Sequence, residues 1–184
     1  MTAPEPDEGH SVWVTCEPQD SGGYAPTLAL TPDQAVTLDE ATAASYALAV
    51  LDAVQAAEYD AAVLAQLRTA LGMDTASAAG FIAGQLRSRR APLRGTGTPL
   101  RLDPGVSQRD RRGFLGVAID GRPAGQWELA DARDHALGVL EVVVAARYDT
   151  AYYEALTGAV GLGDEIARAV VADLGRYRPG GDEP

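Results

Sequence analysis

The chain has 184 residues, 46% of them apolar, and a formal net charge of −11. That apolar content excludes a disordered chain, and the charge disfavours nucleic acid and anionic membranes as average partners. A single cysteine, Cys16, excludes an intramolecular disulfide or a multi-cysteine zinc site.

Residues 1–10, MTAPEPDEGH, are acidic and proline-containing, so a mobile tail is expected. The tail has neither the basic start nor the apolar centre of a secretory signal, and no apolar run reaches the length of a membrane span. A cytoplasmic location follows as the expectation. Val12, Val14 and Cys16 then alternate with Ser11, Trp13 and Thr15, which predicts a strand. Residues 28–38, LALTPDQAVTL, read as a hairpin turning at Pro32-Asp33-Gln34. A first helix follows, with Thr37 and Glu40 at capping-box spacing and Asp39 as a competing cap. Its inner stripe is Ala47, Val50, Leu51, Val54 and Ala57.

Asp60 is placed to cap a second helix with Val63, Leu64, Leu67, Ala70 and Leu71 inward, ending at Gly72. Asp74 or Thr75 opens a third, with Ala78, Phe81, Ile82 and Leu86 inward. Gly80 and Gly84 on that helix imply close contact with another backbone, since glycine otherwise weakens a helix. Residues 91–98 form a basic linker. PLRLDP (99–104) restarts the pattern as a strand, and residues 112–129 form a hairpin around Asp120-Gly121-Arg122-Pro123.

The chain then repeats itself. Residues 57–72, AEYDAAVLAQLRTALG, align with 146–161, ARYDTAYYEALTGAVG, at a constant offset of 89. Tyr59-Asp60 falls on Tyr148-Asp149, Leu67 on Leu156 and Gly72 on Gly161, and the match extends back to Ala35 and Ala124. The second copy carries Ala136, Val139, Leu140, Val143 and Ala146 on its first helical stripe. Leu137, Val142 and Val144 broaden that stripe and predict deeper burial. Tyr152, Tyr153, Leu156, Ala159 and Val160 follow. A one-residue deletion near Gly161 then places Ile166, Ala169, Val170 and Leu174 inward.

The fold expected is α+β: an internal duplication of a unit of three strands then three helices. The first repeat spans 11–90 and the second 99–178, with a frayed tail at 179–184. Two such halves pack with pseudo-twofold symmetry, an antiparallel sheet being covered by helices, because a half of this size leaves an apolar face that the other half can cover.

Chemistry-bearing motifs are sparse. No Gly-x-Ser-x-Gly elbow accompanies the Ser, His and Asp residues, and the glycines of GAVGLGDE (158–165) follow a helix and precede two acids that repel phosphate. His135 lies near Asp131 and Asp134, an arrangement that could hold a metal or a general base, but Tyr46 occupies its place in the first copy. Neither a cofactor nor a metal is expected, and the chain is not read as an enzyme.

The strongest local signal is electrostatic. Arg87, Arg89, Arg90, Arg94, Arg101, Arg109, Arg111 and Arg112 face only Asp103 and Asp110 in one window of 26 residues, which carries +6 while the remainder carries −17. Arg87, Arg89, Arg90, Arg94, Arg109, Arg111 and Arg112 are therefore candidate binding residues. Trp127 and His135 are added as residues that could line a seam pocket beside Tyr46.

The leading expectation is a non-catalytic acidic binding protein, an adaptor, inhibitor or regulator acting through contact with a protein partner. One alternative is a small-molecule-binding regulatory domain with its pocket at the seam. A second is weak nucleic-acid association through the arginine segment.

Overall fold

Between Asp39 and Leu71 the sequence contains neither glycine nor proline and is rich in alanine, so nothing interrupts a helix once it has started. In the computed structural model, which describes residues 12–31, 33–89, 92–107 and 109–175, this stretch is one continuous helix. The expected tails at 1–10 and 179–184 lie outside the described residues, as does Arg90.

Strands β1 (Trp13–Pro18), β2 (Tyr24–Thr31) and β3 (Gln34–Thr37) form an antiparallel sheet in that order. Helix α1 (Glu40–Leu71) follows. Helix α2 (Thr75–Phe81) comes next and continues as a π-helical turn to Leu86 and a 3-10 turn to Arg89. Strands β4 (Leu100–Val106), β5 (Gly113–Ile119) and β6 (Arg122–Glu128) form the second antiparallel sheet. Helix α3 (Leu129–Glu154) ends in a π-helical turn at Ala155–Ala159, and helix α4 (Asp164–Gly175) closes the described chain. The class is α+β with the three-strand layout used twice, but each half carries two helices rather than three, because the first two expected helices are one.

The caps explain the boundaries. Asp39, not Thr37, caps α1: its carboxylate accepts from the Thr42 amide at 2.8 Å, and that bond holds its pKa below the ordinary value. Asp74 serves α2 in the same way through Ser77. Gly72 ends α1 in the left-handed conformation (φ 64°). Asp60 caps nothing. It sits in the interior of α1 on the line of buried residues that runs from Val54 and Ala57 to Leu64.

Each long helix covers the sheet of the other half. Helix α1 packs on β4 and β5, helix α3 packs on β1 and β2, and the two helices pack on each other. In the main apolar core Leu28 and Leu30 of β2 and Leu115, Val117 and Ile119 of β5 alternate inward onto Val50, Val54, Val139 and Val143, while Leu64, Ala78 and Ile82 form a smaller second cluster. Burying each such side chain contributes about 1.5–3 kcal/mol. Along the two long helices Ala43, Ala47, Ala57, Ala132 and Ala136 are almost wholly buried, and their small size permits close approach of the elements packed on them. The helices run antiparallel, so Glu58 late in α1 meets Arg133 early in α3 at 2.7 Å, and Glu40 at the start of α1 meets Arg147 late in α3. The Tyr24 amide donates to Thr150 Oγ1 at 2.9 Å, tying β2 to α3.

Several burial expectations fail. Leu137 and Val144 are about half exposed, so the second copy of the stripe is not the deeper one. Leu71, Phe81, Tyr152, Val160, Ile166, Val170 and Leu174 are also exposed. In α4 the buried residues are Ala167 and Val171, not the expected Ile166, Ala169, Val170 and Leu174. A Cβ on Gly80 or Gly84 would meet nothing within 4 Å, so neither glycine marks a close backbone contact.

Packing demands glycine at Gly105, as it does at Gly113 against Leu129 and the Ala57 carbonyl. Gly105 pairs with Phe114 across β4 and β5, and a Cβ there would lie 2.4–2.8 Å from the Phe114 ring atoms. Gly105→Ala should therefore destabilise by about 1–3 kcal/mol through overpacking. Gly84→Ala, facing open space on a helical segment, should be neutral or stabilising by up to about 1 kcal/mol. Urea unfolding of the two variants measures the contrast.

Candidate functional site

Tyr46 lies in the second turn of α1 and His135 in the second turn of α3, 89 residues apart, and the two side chains meet where the long helices cross. The Tyr46 hydroxyl and His135 Nε2 are 3.0 Å apart, with the rings edge to face at 5.7 Å. Trp127, at the end of β6, lies 5.1 Å from the imidazole and packs on the core. Tyr46 is wholly buried, and burial raises its hydroxyl pKa above the ordinary value. Burial also lowers the His135 pKa to about 4, so the imidazole is neutral at pH 7. The tyrosine–histidine bond is thus one between neutral groups, and neither Asp131 nor Asp134 hydrogen-bonds the ring. A general base needs an orienting acceptor on its second nitrogen, which this ring lacks among the described residues.

The arginine window is divided among three places. Arg87, at the end of the α2 segment, donates from Nε to Asp60 Oδ2 at 2.9 Å. Arg94 in the linker lies 3.9 Å from Asp52, and Arg101 on β4 holds Asp103 at 2.7 Å. Arg89 is exposed beside Arg87, and the expected site residue Arg90 lies outside the described residues. Arg109, Arg111 and Arg112 are exposed on the β4–β5 turn, which is braced by Ser107 and Asp110, with Arg111 at φ 66°. No single cationic face gathers the whole set.

Asp60 and Asp149, read from the sequence as helix caps, are instead buried polar groups. Asp149 accepts from Cys16 Sγ at 3.5 Å. The cue was available, since Asp60 falls on the apolar stripe between Ala57 and Leu64 rather than after it. A buried carboxylate on such a stripe needs a partner from another element.

Beside these aspartates lie two clefts. One, of about 470 Å³, runs between the α2 segment and the β4–β5 hairpin. Ala79, Gly80, Ala83, Val106 and Phe114 line it, with Arg87 on its rim. The other, of about 440 Å³, lies between α4 and β1–β2 and is lined by Cys16, Tyr24, Asp149, Arg168 and Val171. A third, of about 500 Å³, follows the linker from Leu93 to Asp103 over Ala49 and Ala53. None of the three is lined by Tyr46, Trp127 or His135, which are packed against one another.

Among the described residues no group of three or more His, Cys, Asp or Glu is placed to hold a metal ion, and no helix is long and apolar enough to cross a membrane. The chain matches no protein-family model, no curated protein and no solved structure.

Two measurements follow from the buried polar groups. Asp60→Ala should cost about 2 kcal/mol or more, beyond the roughly 1 kcal/mol of a lost helix cap, because it removes a buried charge-assisted bond. A urea midpoint unchanged by this substitution would contradict the buried pairing. For His135 the folded-state pKa of about 4 lies below the ordinary 6.5, so the unfolded chain takes up the proton first. Its contribution to stability is complete above about pH 6.5 and is lost as pH falls towards 4, by up to about 3 kcal/mol. The His135→Phe protein should show a correspondingly flatter decline over that window when unfolding is followed at several pH values.

Proposed function

We propose that this chain is an internally duplicated, pseudo-twofold protein that acts as a non-catalytic binding module through contact with another protein. The duplication is supported by the offset of 89, by the strand and helix order used twice, and by the contact between Tyr46 and His135. Residues related by a twofold operation meet one another only near its axis. On this reading residues 11–90 and 99–178 are the two repeats, and their long helices have exchanged sheets.

One observation carries the binding function. Leu137, Val144, Tyr148 and Tyr152 are 48–59% exposed and recur on one side of α3, spanning a length of roughly 22 Å. Exposed apolar residues are common singly, but an aligned set rich in tyrosine is the composition of a protein-binding surface. Exposed Asp134 and Glu141 stand in the same row, so the complementary partner presents basic side chains among apolar ones. The corresponding row of α1 reads Leu48, Asp52, Gln55 and Tyr59, in which Asp52 matches Glu141 but Gln55 takes the place of Val144, so α3 is the more apolar face.

Capture experiments from the native host with tagged wild-type and Tyr148→Glu/Val144→Glu chains test the reading. A stoichiometric protein should be recovered by the wild type and lost by the variant, which retains the buried core and hence its unfolding midpoint. Equal recovery by both chains would overturn the reading. So would recovery of nucleic acid alone that disappears at moderate salt.

A further inference from the structure

We propose that the cleft between the α2 segment and the β4–β5 hairpin is a binding site for a small amphipathic carboxylate, with an aliphatic tail in the trough and its carboxylate on Arg87. The site is independent of the α3 surface.

The trough is mostly apolar. Phe114 forms one wall, held by the absence of a side chain at Gly105, and Val106 and Leu64 continue it. The opposing wall is Ala79, Gly80 and Ala83. A Cβ on Gly80 would meet nothing within 4 Å, so the space in front of that helix is open rather than filled by a neighbour. Keeping glycine there costs the helix about 1 kcal/mol relative to alanine, with no packing reason to retain it. A volume of about 470 Å³ falls within the range of small-molecule sites.

Arg87 supplies the polar end. Its Nε is committed to the buried Asp60, which fixes the plane of the guanidinium, while its side chain remains 39% exposed at the rim of the cleft. Among the described residues the two terminal nitrogens make no other bond. A guanidinium anchored on one edge presents its other donors in a fixed geometry that suits a carboxylate.

The second half provides a comparison within the same molecule. Offset by 89, Ala79, Gly80, Ile82 and Ala83 become Arg168, Ala169, Val171 and Ala172, which line the cleft between α4 and β1–β2. There Arg168 stands in the lining and pairs with Asp164 at 3.0 Å, beside Cys16, Tyr24, Asp149, Ala169 and Val171. Both clefts are mostly apolar, and what differs is the arginine. Arg168 spends Nε on Asp164 and Nη2 on the Gln19 carbonyl, whereas among the described residues Arg87 is bonded through Nε alone.

Titration of the full chain with octanoate, with octylammonium as a probe of equal tail and opposite charge, tests the assignment by calorimetry and by amide chemical shifts. Octanoate should bind saturably and shift the Gly80, Val106 and Phe114 resonances, with octylammonium weaker by about tenfold or more. Gly80→Leu, which projects a side chain into the open trough on a better helix-forming residue, should preserve or raise Tm while weakening octanoate by a similar factor. Arg87→Gln should weaken octanoate and remove its advantage over octylammonium. Absence of octanoate binding, equal binding of the two probes, or wild-type binding by a folded Gly80→Leu chain would each overturn the proposal. None of these outcomes bears on the α3 surface.

Discussion

The contact between α1 and α3 is the constraint on which the rest of the structure depends. The two long helices, both with buried alanines, pack on each other, and each also covers the sheet of the other half. Neither sheet has its own long helix as its main cover. The exchange makes the two halves mutually obligatory, because separating them would expose Leu28 and Leu30 on one side and Leu115, Val117 and Ile119 on the other. A chain with only two phenylalanines and two methionines obtains its main core this way, through interlocking rather than bulk.

Polar groups placed inside this arrangement specify its register. The ion pairs of Glu58 with Arg133 and of Glu40 with Arg147 align the antiparallel helices from opposite ends, although at their partly exposed positions each is worth less than about 1 kcal/mol. The Tyr46–His135 bond and the buried Asp60 and Asp149 are more demanding. A slip of either helix would leave a desolvated hydroxyl or carboxylate without its partner, at a cost of several kcal/mol. The apolar contacts tolerate several registers, and these polar ones tolerate one.

The same geometry separates what is available to partners from what is not. Of the arginines between residues 87 and 112, Arg87, Arg94 and Arg101 each lie beside an aspartate, while Arg89, Arg109, Arg111 and Arg112 are exposed. The aromatic group at the helix crossing is packed. Two apolar surfaces also face outward: one side of α3, and the trough between α2 and the second sheet. The proposed protein contact and the proposed carboxylate site both arise from apolar surface that the exchanged helices leave uncovered.

Much of the secondary structure was determined locally. Alternation marked β1, Pro-Asp at 32–33 and Asp-Gly at 120–121 marked the two hairpins, and aspartates 39 and 74 with Gly72 marked helix ends through backbone hydrogen bonds made within a few residues. The restart of the strand pattern after residue 98 foretold a second three-strand sheet. Whether Asp60 ends a helix or sits inside one was not decided locally, because its partner Arg87 is 27 residues away and becomes a neighbour only after α2 folds back. Nor could periodicity decide whether Leu137, Val144, Ile166 and Val170 point inward. An apolar stripe records that a face is apolar, while the element that covers it is fixed by which sheet each long helix crosses, and that choice belongs to the tertiary structure alone.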